Sequence, residues 1–99
     1  MILILGTSSD KDIETLAEEF KAAAATVVLT QSSHPRAYAF TEAHAKQLFP
    51  GEESFVTTTV GDALNLALSK ANKDDVIVAT GSIFVAAEVR EKLCINTNL

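Results

Sequence analysis

Residues able to do chemistry fall in four short polar stretches: Gly6-Thr7-Ser8-Ser9-Asp10, Gln31-Ser32-Ser33-His34-Pro35-Arg36, Val60-Gly61-Asp62 and Thr80-Gly81-Ser82. Hydroxyls, glycines and the free N–H groups of a helix start together suit a small anion, because the open amides and the helix dipole both favour negative charge. Three of these stretches could converge on one such ligand. The same residue types also serve any helix start, where Ser, Asp and Gly are good caps, so capping alone accounts for the first stretch. His34 and Arg36 are the more informative pair. A histidine directly before a helix-starting proline is a poor cap, and Arg36 in a first helical turn opposes the dipole. Two locally costly choices side by side mark a candidate binding site, with a surface accident as the alternative.

Other reactive groups carry less. His44 falls beside Phe40 and Leu48 at helical spacing and is expected to be a partly buried structural histidine. The two histidines lie on different turns with no carboxylate at a fitting spacing, so no metal site is expected. Asp10, Asp12 and Asp62 could act as acids or bases, but no neighbour marks them out. Cys94 is the only cysteine. It is expected to be an inert, partly buried thiol in a reducing cytoplasm. A phosphate loop needs Gly, four residues, then Gly-Lys-Ser/Thr, and Lys11 has no glycine before it at that spacing. No dinucleotide GxGxxG occurs either, which argues against a kinase or ATPase acting alone.

The elements that must position these groups read clearly. Met1 to Leu5 is apolar throughout and stops at Gly6, a buried first strand too short to cross a membrane. Ile13, Leu16, Ala17 and Phe20 recur at the i, i+3, i+4, i+7 spacing of an amphipathic helix. Thr26 to Thr30 is a second strand. Pro35 suits the first position of a helix, so helix two is placed at about 36–48 and ends at Phe49-Pro50-Gly51. A Thr-rich third strand is placed at 55–59, nearer the sheet edge. Helix three follows Gly61-Asp62, with Leu64, Ala67, Leu68 and Ala71 on one side. Val76-Ile77-Val78-Ala79 shows no polar alternation and reads as a strand covered on both faces. Gly81 and Ser82 then turn the chain into a last helix, 83–93. This β-α-β-α-β-α-β-α order predicts an α/β, three-layer, Rossmann-like fold: four mainly parallel strands with helices on both faces. The carboxyl ends of such strands are where ligands bind.

Ninety-nine residues make one domain, residues 1–99, with no linker. The formal charge of −5 and the scattered basic residues give no electrostatic reason to expect nucleic acid or an anionic membrane as partner.

Three blocks resemble the C-terminal domain of folylpolyglutamate synthase/dihydrofolate synthase, of the Mur ligase superfamily. They are Gly6 with Asp10-Lys11-Asp12-Ile13, then Thr30 with Ser33-His34-Pro35-Arg36-Ala37, and finally Thr80-Gly81-Ser82-Ile83-Phe84 with Glu88-Val89-Arg90. The resemblance implies a part of an ATP- and magnesium-dependent ligase that joins glutamate to a pteroate or folate carboxylate through an acyl phosphate. It implies that Ser82 faces the glutamate site and that His34 and Arg36 face the interdomain cleft. Asp10 and Asp12 would mainly cap and support a helix.

The family's C-terminal domain normally begins one βα unit earlier, at an Asp-Gly-Ala-His-Asn strand end, so the domain is expected to be truncated at its N-terminus. It is not expected to be a ligase by itself, and no cofactor is expected in this chain alone. Its expected partners are glutamate and a folate-type substrate, met through a central ATP-binding domain. Without that first strand, strands one and four are expected to pair in the order 2-1-4-3, or two chains to form a homodimer edge to edge. The rival reading is a stand-alone α/β binding or assembly module without ligase activity.

Overall fold

A computed structural model describes residues 1–8, 13–35, 37–81 and 83–97. Four strands, β1 (Ile2–Leu5), β2 (Thr26–Leu29), β3 (Glu53–Val56) and β4 (Ile77–Thr80), alternate with four helices: α1 (Ile13–Phe20), α2 (Glu42–Leu48), α3 (Val60–Lys70) and α4 (Ile83–Thr97). Every strand pairing is parallel. The predicted α/β class and helices on both faces therefore hold.

Side chains that alternate along each strand divide the core into two layers. Leu3, Leu5, Val27 and Leu29 point to the side covered by α1 and α2, where they meet Ala17, Ala45, Leu48 and Phe49. Ile2, Ile4 and Val28 point to the other side, against Val60, Ala63, Leu64 and Ala67 of α3 and Val85 and Val89 of α4. Continuous apolar strands are needed because both faces of the sheet are covered. β1 is the deepest element, with all four residues buried.

The strand order is β3-β2-β1-β4. β1 and β4 do pair, with Ile2 opposite Ile77 and Leu5 opposite Thr80. The expected order 2-1-4-3 is wrong in its other half, since β3 lies beside β2, with Thr26 opposite Glu53. The connection from β2 through α2 returns the chain to the neighbouring position, as consecutive parallel strands usually do. β4 consequently forms an edge. All four of its residues are half-buried, and Val76 just before it is 62% exposed. The apolar run that reads as doubly covered is thus covered on its faces but open along one side.

The start of helix two also departs from expectation. Pro35 does not open a helix. The carbonyl of His34 accepts from the N–H of Ala37 at 3.0 Å in a tight turn, and the N–H of Tyr38 donates to the Thr7 carbonyl at 2.8 Å. Ala37 forms an antiparallel bridge with Ser8. The helix begins only at Glu42, where Thr41 is extended and its hydroxyl accepts from the His44 N–H at 3.1 Å. A threonine at that position is a good cap, and it outcompetes the proline signal six residues upstream.

Candidate functional site

The carboxyl ends of the strands bring the polar loops together, and glycines allow the close approach. Gly6 donates its N–H to the Thr80 carbonyl at 3.2 Å. Gly81 has φ 96, a left-handed backbone that favours glycine. A Cβ there would collide with the Gly6 carbonyl oxygen and stand 2.7 Å from Leu5 Cδ1. The β4–α4 turn therefore lies directly on the end of β1.

The end of β2 is tied to β3 and α3 by threonines. Thr30 is 1% exposed. Its hydroxyl donates to the Thr59 carbonyl at 2.9 Å and accepts from the Thr57 hydroxyl at 2.8 Å. Burying a hydroxyl is costly unless it is hydrogen-bonded, and here the bonds are made. Thr59 in turn caps α3, accepting from the Asp62 N–H at 3.1 Å. Asp62 already brings a negative charge to that helix start, which satisfies the dipole from within.

The loop after β2 is fastened to α4. The N–H and hydroxyl of Ser33 both donate to Glu88 Oε1, at 2.8 and 2.7 Å. The buried Ser32 hydroxyl accepts from the His34 N–H at 3.2 Å. A cleft of about 370 Å³ opens here, lined by Gln31, Ser33, His34, Thr58, Thr59 and Glu88. A second, of about 390 Å³, lies beside it against Gly61, Glu91 and Lys92. Ser33, Thr59 and Glu88 line both. Hydroxyls, an imidazole and a carboxylate within one concave edge can hold a small polar ligand by hydrogen bonds and charge.

Of the predicted site residues, His34 lies in this cleft. Ser82 and Arg36 lie outside the described residues, as do Asp10 and Asp12 and the side chain of Cys94. The helix on which the dipole argument for Arg36 depended starts at Glu42, so that argument lapses. His44 is half-buried beside Phe40, with ring centroids 6.0 Å apart, and its Nδ1 shares a 3.0 Å hydrogen bond with the Tyr38 hydroxyl. It lines a separate hollow of about 270 Å³ with Glu14 and Glu18 of α1 and Lys21 just after it. Sequence reasoning gave no role to Glu88 or to the Thr30–Thr57–Thr59 chain. The run Thr57-Thr58-Thr59 directly before a helix start was the available signal, whereas the reach of Glu88 across to Ser33 has no local signature. Among the described residues no three His, Cys, Asp or Glu gather as a cation site. No helix there is long and apolar enough to cross a membrane.

No curated protein sequence matches the chain. Among solved structures, the Mycobacterium tuberculosis folylpolyglutamate synthase complexed with ADP and AMPPCP is similar at 28% identity and a TM-score of 0.77. The similarity covers 92% of this chain and 23% of that one. Escherichia coli FolC in complex with DHPP and ADP shares the fold at a TM-score of 0.81 and 21% identity, over 97% of this chain and 22% of that one. This chain thus spans under a quarter of the length of either enzyme. Residues 1–83 match the family described as Mur ligase, glutamate ligase domain. Since that match extends from β1 to the first residue of α4, the chain belongs to the family of Mur ligase glutamate ligase domains.

Proposed function

We propose that this chain is the C-terminal domain of an ATP-dependent folate:glutamate ligase of the folylpolyglutamate synthase/dihydrofolate synthase type, working in the cytoplasm, and that its carboxyl edge helps form the glutamate pocket. The observation that carries this reading is the family match over residues 1–83, supported by the likeness to the M. tuberculosis synthase at 28% identity. The cleft beside His34 is the place in this chain suited to the task. Glutamate presents two carboxylates and an ammonium group, and the cleft offers hydroxyls, an imidazole and the Glu88 carboxylate.

In this reading His34 and Arg36 face the neighbouring ATP-binding domain and Ser82 faces the glutamate. The chain's own work is to bind and orient the amino acid and to exclude water as the domains close. ATP and magnesium are requirements of the complete ligase. In this reading both are held by the neighbouring domain, since this sequence carries no phosphate loop.

The test is an NMR titration of the 99-residue chain with L-glutamate at millimolar concentration, repeated on His34→Ala, Arg36→Ala and Ser82→Ala. Shifts confined to the carboxyl-edge loops, weakened in all three variants, are expected. A folded chain with no shift at those loops would overturn the glutamate-pocket reading in favour of an α/β binding or assembly module without ligase work.

A further inference from the structure

We propose that Glu88 is a positioning residue that sets the geometry of the His34 loop from α4. The proposal rests on the reading of the carboxyl edge as the glutamate pocket, and it names a control point in that pocket.

The loop from Gln31 to Pro35 has no strand or helix of its own. Several hydrogen bonds among the described residues shape it. The His34 carbonyl closes a turn with Ala37, and the Ser32 hydroxyl supports the His34 N–H. Both of these act within the loop. Just beyond it, Ala37 bridges Ser8 and Tyr38 binds Thr7 after β1, and the tie from α4 is Glu88, one carboxylate oxygen of which takes both the N–H and the hydroxyl of Ser33 at 2.8 and 2.7 Å. Bonds to an ionised acceptor are short and strong relative to neutral ones. Two of them from one residue fix both the backbone and the side chain of Ser33, directly before His34.

Glu88 is well placed to impose that geometry. It lies on α4 one position before the buried Val89 and three after the buried Val85, both packed in the sheet core. The same helix follows the Gly81 turn that sits on Gly6. One rigid element therefore carries both the β4 turn and the anchor of the β2 loop. A shift of α4 would move the β4 turn and the β2 loop together.

The expected results separate positioning from general stability. In Glu88→Ala the N–H of Ser33 loses its acceptor, and its hydrogen exchange in the full chain should rise roughly tenfold, the size of one net hydrogen bond to a charged group at a solvated site. Amides of α3 should be unchanged. Glu88→Gln keeps a carbonyl oxygen for Ser33 and should restore most of the protection, while Ser33→Ala should leave the backbone bond in place. Glutamate affinity, measured by the same titration, should fall several-fold in Glu88→Ala and recover in Glu88→Gln.

Unchanged exchange at Ser33 in Glu88→Ala, or a rise shared equally by α3, would overturn the proposal. So would loosened exchange at Ser33 with glutamate affinity intact. If the wild-type chain binds no glutamate, the pocket reading fails by itself, and the exchange data still decide whether Glu88 holds the loop.

Discussion

Replacing Gly81 by alanine tests the packing of the carboxyl edge most sharply. The residue has φ 96, where an L side chain costs roughly 1–2 kcal/mol. The added methyl would also run into the Gly6 carbonyl oxygen, a backbone atom of the segment clamped between β2 and β4, and approach Leu5 Cδ1 at 2.7 Å. The leucine can rotate a little, but the carbonyl cannot yield without disturbing the strand end. Overpacking of this kind costs about 1–3 kcal/mol. Together these amount to ~3 kcal/mol, a large share of the ~5–15 kcal/mol that stabilises a domain. With a urea slope of about 1.5 kcal/mol/M, the unfolding midpoint should fall by about 2 M. The melting temperature should fall by at least ~12 °C. Gly51→Ala is the control: a Cβ there meets no atom within 4 Å, and its φ is not left-handed. It should be neutral or raise stability by up to ~1 kcal/mol by restricting the unfolded chain. If Gly81→Ala shifted the midpoint no more than Gly51→Ala does, the close contact between the β4 turn and β1 would be refuted.

Two further substitutions probe the supports of the site. Thr59→Ala removes the hydroxyl that caps α3, and urea unfolding should show a loss of about 1 kcal/mol. Phe49→Ala empties the largest fully buried side chain among the described residues, 1% exposed. It should cost about 3–5 kcal/mol in the same assay, while Leu68→Ala, at a residue 48% exposed on α3, should cost well under half as much.

Much of the architecture could be read from the residues, because the signals were local and strong. The unbroken run Ile2 to Leu5 is a central strand, and the stripe of Leu64 and Ala67 is the buried side of a helix. The neighbours of each strand were harder. Val76 to Ala79 looks as apolar as β1, yet it borders the sheet, since periodicity reports coverage of the faces and is silent about the edges. The region after Pro35 was misread for a different reason. Proline is compatible with a helix start but does not compel one, and here residues 37 and 38 hydrogen-bond to the end of β1 instead. At the site, His34 was visible as an odd choice before a proline. Glu88 figured only within a block resembling the family, and its link to Ser33 exists only in the folded chain.

The seam between β1 and β4 joins two strands far apart in the sequence. On a ribosome, β1, β2 and β3 emerge and can assemble while β4 is still being made. Until it arrives, the side of β1 that will receive it is a bare, apolar strand edge, open to pairing with other chains. Parallel pairing across so long a stretch of sequence is also intrinsically slow, because the loop must close before any contact rewards it. The topology therefore makes this domain a late finisher during synthesis, with its most deeply buried strand the last to be protected on both sides.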